Sequence, residues 1–557
     1  SAGGAIANFG ALKTLSNSTF VRNKAMDEGP AILNIGTIDF MQYISFEENT
    51  FHCHEGLYLM EEEVRVVHDS SDRYGTVCAR CSSSCEPSNN CTVLNAKVPT
   101  CEVPLDNTIS PQPGVTVATL ALEKGYWRTS NTSVTILGCY NKDACLGGVD
   151  TEEYCAPGYT GPYCTVCSEG YAPYLVYSCR QCTGGSKTKA QAMAGIILAF
   201  ATIGVAVVIT YLLSADDNSA SPPRRTWIGR IRERIPFRAL KIVVVVWQII
   251  SQFTTVAGVV YPGVYQHFIG VVDFFNLDIG IIFSIGCIDI VFGFYNRLLT
   301  STIGPLVVMV ALLATYSISR LIHGKSASAM VIVNQKHMSM ALLLTFLIYS
   351  SVSSTVFLTF ACDDLDDGRS LLRADYSLSC NTNRHLMFKI YAGVMILVYP
   401  IGIPFLYGVL LFRHRHALRS HGVDRGENVR LKAFSDLWGP YKPKVFYYEL
   451  VECFRRVMLT GLVVFIYPDS AAQIAATVGL AFAFQLVSEV LSPHSNPIDK
   501  WLYRIGQVVV LASMYLALLL RVDVSDEHKQ GQDAFEWVLI LFNCAMVIAI
   551  VTEGLLL

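Results

Sequence analysis

The sequence predicts a multi-domain membrane protein: the C-terminal end of a parallel β-helix, then a cysteine-rich stalk, then an all-α polytopic transmembrane domain. Three observations lead there. Of 557 residues, 52% are hydrophobic and 16% charged, and the mean hydropathy is +0.40, well above the apolar share of an ordinary soluble domain. The 18 cysteines are uneven, with 13 before residue 183. A short period repeats at the N-terminal end. The net charge of -3 gives no overall electrostatic handle for nucleic acid, so no nucleic-acid partner is expected.

The repeat comes first in the chain. Gly3-Gly4-Ala5-Ile6 returns as Gly29-Pro30-Ala31-Ile32, Asn8 as Asn34, Gly10 as Gly36, Phe20 as Phe46 and Asn23 as Asn49, all at a spacing of 26. Corner glycines, β-branched runs and a stacking Asn suit a coil that buries its apolar side against the next coil. Residues 1-60 are therefore read as the last coils of an extracellular β-helix. Such stacks need at least about three repeats, so further coils are expected upstream. The chain opens without Met or a signal peptide and stops inside an apolar run, and both ends are expected to be truncated. The GGAI and F-x-x-N elements resemble repeats of polymorphic outer membrane proteins, also found in surface proteins of protists and algae. That resemblance implies a right-handed β-helix used for adhesion or as an extended surface element, with Pro30 departing from its second Gly.

Residues 61-154 form a cysteine-rich domain and 155-186 a stalk. The C-x-x-C spacings at Cys78, Cys164 and Cys179 admit zinc. Against that, the sequons at Asn17, Asn90 and Asn131 all lie in this half, which fits a glycosylated, oxidising compartment where thiols pair. The partners of Cys155, Cys164, Cys167, Cys179 and Cys182 do not follow from spacing, and the odd thirteen of this half leave one cysteine to stay free, to pair beyond the segment, with Cys287 as one possible partner, or to pair with sequence outside the chain. The run Cys155-Ala-Pro-Gly-Tyr-Thr-Gly-Pro-Tyr-Cys164 resembles an EGF or laminin-type module, which implies bridges in place of a hydrophobic core.

Residues 187-557 carry nine apolar runs long enough to cross ~30 Å of hydrocarbon as helices. They lie near 192-213, 240-260, 303-322, 338-361, 386-412, 447-466, 471-491, 501-520 and 534-557. A shorter run, 279-295, contains Asp289 and Cys287, and topology decides against it. With the sugar-bearing half outside, nine spans put the loop holding Arg224, Arg225, Arg230, Arg232, Arg234 and Arg238 in the cytosol. The same count places the loop with Cys362 and Cys380 outside, where they can pair, and the basic block from Arg413 to Lys444 inside, with a cytosolic C-terminus. A tenth crossing would reverse every later loop. Residues 261-302 are accordingly expected to pack as a hairpin on the outer face or to re-enter partway. The aromatic and basic stretch 434-448 reads as an interfacial segment touching anionic lipid.

Several phrases resemble TRP-like membrane domains of large protist, algal and oomycete surface proteins: Gly125-Tyr-Trp-Arg128, Cys145-Leu-Gly-Gly148, Tyr261-Pro262, Asp375-Tyr-Ser-Leu-Ser-Cys380, Tyr399-Pro400-Ile-Gly-Ile-Pro404 and Glu449-x-x-Glu452-Cys-Phe-Arg455-Arg456. The resemblance implies a channel-like membrane domain, and the last six spans have the order of a TRP unit. Two features depart from it: the connection from Arg521 to Asp533 has no apolar pore-helix segment, and 471-491 has no Arg or Lys to carry gating charge.

Polar groups inside apolar runs are costly and so mark candidate pathway or clamp residues: Glu449, Glu452, Arg455, Arg456, Glu489, Arg504, Glu536 and Glu553. Glu452 can neutralise Arg455 at i,i+3 or Arg456 at i,i+4. Pro400 and Pro404 fall inside a span and predict a kink or hinge. Asp363, Asp364, Asp366 and Asp367 offer hard oxygens to Ca²⁺ but fail the EF-hand spacing, so no metal is assigned. No zinc-protease, phosphate-loop or nucleophile-elbow motif is present, and neither catalytic residues nor cofactors are expected. The sequence thus predicts a surface channel or sensor in the plasma membrane or another secretory-pathway membrane, with residues 1-190 extracellular or lumenal. Lipids, an extracellular protein or filament, and a second copy of the chain are its expected partners. An adhesin or filament anchor, and a transporter or lipid-handling protein, are the alternatives.

Overall fold

The computed structural model describes short strands between Ile6 and Glu102, by backbone only, and residues 107–109, 117–175, 177–182, 208–209, 237–261, 263–276, 293–419, 429–466, 470–522, 537–548 and 552. The chain divides into two compact units. The first is Ser1–Val166 with Leu365–Gly368, and the second is Cys167–Asp364 with Arg369–Leu557.

In the first unit, β1 (Ile6–Asn8), β2 (Ala11–Leu12) and β3 (Leu15–Val21) are followed by β4 (Ile32–Asn34), β5 (Thr37–Ile38) and β6 (Met41–Glu47). They pair in parallel as β1 with β4, β2 with β5 and β3 with β6, the registers being Ile6 with Ile32, Ala11 with Thr37 and Leu15 with Met41. Each partner lies one sequence repeat away. The ladders amount to two stacked copies of a three-strand unit, and among the described residues they extend no further into a helix.

The rest of the first unit is pinned covalently and by one buried guanidinium. Disulfides join Cys139 to Cys145 and Cys155 to Cys164, at sequence separations of 6 and 9. Arg128, fully buried, donates from Nε to the Tyr154 hydroxyl at 2.8 Å, and from its terminal nitrogens to the carbonyls of Val117 at 2.8 Å and Leu120 at 3.0 Å. Its planar fork lets three segments share one cation, and Trp127 packs on Tyr163 beside it with ring centroids 5.4 Å apart. Asn131 stands exposed. Thr129 Oγ1 donates to the Asp366 carboxylate at 2.5 Å and Ser133 donates to its other oxygen. Burial opposes ionisation of Asp366, yet these hydroxyls hold its pKa below the usual carboxylate range.

The second unit opens with the hairpin β7 (Tyr171–Leu175) and β8 (Ser178–Gln181), bridged by Cys167–Cys179, and Cys182 is oxidised as well. Its body is helical: α1 (Phe237–Ala257), α2 (Gly263–Val272), α3 (Phe294–His323), α4 (Ala327–Leu358), α5 (Asn383–Ile396), α6 (Gly402–Arg413), α7 (Tyr448–Thr460), α8 (Ala471–Leu491) and α9 (Pro497–Arg521). A short apolar helix, Trp537–Ile548, follows. Between α4 and α5 a small sheet of β9 (Cys362–Asp364), β10 (Ser370–Leu372) and β11 (Asp375–Ser379) is closed by Cys362–Cys380.

Six helices among the described residues are long and apolar enough to cross a membrane: α1, α3, α4, α5 continuing into α6, α8 and α9. Their packing is the reverse of a water-soluble bundle. Only 17% of the apolar window of α3 and 22% of that of α8 is buried, against 72% for α1 and 78% for α4, so apolar surface faces outward while charge is held within. That arrangement is stable in lipid, and the second unit is that of a membrane protein with disulfide-bearing segments in an oxidising compartment.

Two expected spans differ in detail. The run 447-466 is interrupted: α7 stops at Thr460 and a 3₁₀ turn, Leu462–Phe465, follows. Gly461 stands at the break, where only glycine fits, because a Cβ there would lie 2.5 Å from the Phe357 ring. The run 386-412 contains a π-helical turn, Leu397–Ile401, at Pro400, with Pro404 in the first turn of α6. There Gly402 is required, since a Cβ would meet the Leu397 carbonyl oxygen at 2.8 Å. Of the run 192-213 only positions 208–209 are described, and 279-292, which holds Cys287, lies outside the described residues. The stretch 434-448 turns inward, with Phe434, Trp438, Tyr441 and Phe446 buried, so its aromatics serve the protein core more than an interface.

Candidate functional site: a buried charge cluster

The second unit gathers charge where α1, α7 and α9 meet. α7 is amphipathic, and it turns Glu449, Glu452, Arg455 and Arg456 inward, all at most 4% exposed. Spacing explains the shared face, since i, i+3 and i+7 positions align on a helix.

Arg455 forks onto Glu452, with Nη2 to Oε2 at 2.8 Å and Nε to Oε2 at 3.1 Å. The Tyr503 hydroxyl of α9 donates to the other oxygen of Glu452, and Tyr448 lies 3.2 Å from Tyr503, oxygen to oxygen. One turn earlier, Glu449 accepts from Lys241 of α1 at 3.0 Å and from the Tyr441 hydroxyl at 2.8 Å. Burial, then the charge of Glu449, pushes the Tyr441 phenol well above its ordinary pKa, so it stays a donor. Arg456 is held differently. Its guanidinium stacks 4.3 Å from the Phe346 ring centroid, one terminal nitrogen donates to the Phe346 carbonyl at 3.4 Å, and its Nε has no partner among the described residues. Lys241, Arg455 and Arg456 against Glu449 and Glu452 leave one positive charge in excess.

Lys241, Tyr441, Glu452, Arg455, Arg456 and Tyr503 border a cavity with about 30 Å³ of room for water centres, lined also by Arg238, Pro440, His494, Asp499 and Gln507. At roughly 10–15 Å³ per water, it holds a few waters and no organic substrate. Asp499 is 1% exposed and neither of its carboxylate oxygens finds a hydrogen bond among the described residues, and Gln507 Nε2 is equally unspent. His494 stacks on Tyr503 with ring centroids 4.6 Å apart. Burial pushes its imidazole down to about 4 against the pull of Glu452 and Glu449, so it is neutral at pH 7.

The other sequence candidates fall elsewhere. Glu489 and Arg504 meet each other across α8 and α9, Nε to Oε1 at 2.6 Å, as a pair more than one-third exposed. Glu536 and Glu553 lie outside the described residues, as do Asn90 and the side chain of Asn17. Asp363 spends its carboxylate on Arg373, Nη2 to Oδ1 at 2.5 Å, and on the Tyr376 hydroxyl. Among the described residues the one group of metal-type ligand atoms is Cys362, Cys380 and His385, and both sulfurs are committed to the disulfide. Lys241, His494, Asp499, Tyr503 and Gln507 escaped sequence reading, and Tyr441 was read only as part of the interfacial stretch 434-448. Only Asp499 carried a local signal, as an acid in the first turn of an apolar helix.

Comparison with known proteins adds no family. No family model matches the chain, and neither the curated proteins nor the solved structures yield a match.

Proposed function

We propose that the chain is a cell-surface, TRP-like channel or sensor that conducts cations. In this reading nine spans, with the N-terminus outside and the C-terminus cytosolic, carry an EGF-like disulfide stalk and the end of a right-handed β-helix, glycosylated at Asn17, Asn90 and Asn131. The observation that carries the reading is the buried cluster of Glu449, Glu452, Arg455 and Arg456, with partly buried Lys241 paired to it. Burying ions costs several kcal/mol each unless they are paired, and an anchor needs only apolar surface, so a membrane unit that pays this cost has a use for charge inside. The unspent groups of Asp499, Gln507 and Arg456 around a water-sized cavity favour a hydrated element that can change partners.

The second reading is a surface adhesin or filament anchor. It is favoured by the parallel ladders at constant repeat spacing, a geometry suited to an extended rod. Current recording on the full chain in proteoliposomes, under Na⁺, K⁺ and Ca²⁺ gradients, separates the two. Cation currents support the channel reading, whereas correctly folded, electrically silent protein favours the anchor.

A further inference from the structure

A second buried polar cluster lies in the helical unit where α1, α4 and the 3₁₀ turn Asp273–Asn276 pack together. Ser251 of α1 donates to Asp273 Oδ1. Asn276 spends both amide hydrogens locally, donating to Ser251 Oγ at 3.0 Å and to Asp273 Oδ1 at 2.5 Å. That fixes the amide orientation and leaves Asn276 Oδ1 with no donor, although the residue is 2% exposed. Gln248 of α1 donates to the Leu347 carbonyl of α4 at 2.8 Å, and one turn on from those two residues stand Ser251 and Ser350.

On α4 the hydroxyls of Ser350 and Ser353, both fully buried, also lack partners among the described residues. The default for a helical hydroxyl is to donate back to the i−4 carbonyl. Thr355 and Thr359 of the same helix do so, at 3.0 Å and 3.3 Å. Ser350 and Ser353 do not, so their oxygens stay available. A buried polar oxygen without a partner is costly, and three of them on packed elements beside the Asp273–Ser251–Asn276 network ask for a common ligand.

We propose that Asp273, Asn276 Oδ1, Ser251 and Ser350, with Ser353 beside them, hold one desolvated alkali-metal cation. The donors are all hard oxygens, which select such ions over softer metals. The set offers one carboxylate among neutral oxygens, whereas Ca²⁺ takes 6–8 oxygens and usually several carboxylates. The proposal does not require that the protein conduct.

The test is thermal unfolding of the purified full chain in detergent, at constant ionic strength, with NaCl or KCl replacing choline chloride. A saturable rise in Tm with either alkali salt, absent in choline, is the expected result, because an ion that binds only the folded state stabilises it. Asp273→Asn should abolish the rise. Ser350→Ala, which alters no charge, should shift the half-saturating concentration upward about tenfold, equivalent to the loss of one coordinating oxygen at about 1.4 kcal/mol, and it serves if the Asp273 variant does not fold. Equal melting of the parent protein in all three salts, or an alkali response unchanged in Ser350→Ala and Asp273→Asn, overturns the assignment.

Discussion

Arg128 of the first unit and Arg456 of the second are both fully buried guanidiniums, and they are treated in opposite ways. Arg128 places its donors on carbonyl oxygens and a phenol, all neutral, and ties together segments that disulfides also hold. Arg456 has one long hydrogen bond, an aromatic face and an unspent Nε, and it stands beside a Glu452–Arg455 pair and a water-sized cavity. The first arrangement is saturated and has no second state to reach. The second has donors and acceptors in reserve, which is what a group that changes partners requires.

The largest effect should come from breaking the saturated site. Arg128→Ala leaves the Val117 and Leu120 carbonyls and the Tyr154 hydroxyl without their donor and opens a cavity. A loss above about 3 kcal/mol is expected, seen as protease sensitivity and scrambled Cys139 and Cys155 bridges. Next, Glu452→Gln strands Arg455 as a buried cation and should cost about 3–5 kcal/mol in the melting of the second unit. The double change Glu452→Leu with Arg455→Met removes both charges and should regain most of that stability, whereas the saturated site has no such compensating partner.

A smaller, pH-dependent effect follows from His494. Its unfolded imidazole titrates near 6.5 and the folded one at about 4, so between those values the unfolded chain binds more protons. The second unit should therefore lose stability as pH falls through that window, by at most about 3 kcal/mol, and His494→Gln should flatten the melting profile between pH 7 and pH 5. The smallest effect belongs to the surface pair Lys124–Asp143, whose side chains are 61% and 88% exposed; Lys124→Ala should change the melting of the first unit by less than about 0.5 kcal/mol.

Local signals were legible where they agree with packing. α8 runs over the predicted residues 471-491, with Ser470 accepting from the Gln473 amide at one end and left-handed Ser492 at the other. The i,i+3 pairing of Glu452 with Arg455 was one of two open choices, and Phe346, 109 and 110 positions away in sequence from those two arginines, decides it by taking Arg456 onto its ring. Lys241 of α1 and Tyr503 of α9 carry no signature, because they look like ordinary ends of apolar runs until the helices pack. Gly461 was equally silent: a glycine inside an apolar stretch reads as tolerated, and only the packed Phe357 ring shows that no side chain fits there. The parallel pairing of Ile6 with Ile32 was visible because identical residue types recur at one period, which is information a helix bundle does not contain.

The central claim is that the charge cluster serves the membrane unit's activity and not merely its fold. Cation flux through proteoliposomes bearing the Glu452→Leu, Arg455→Met protein tests it most directly, with melting temperature measured on the same sample. The account predicts a parent-like melting temperature with flux reduced at least tenfold. Parent-like melting together with undiminished flux would contradict it.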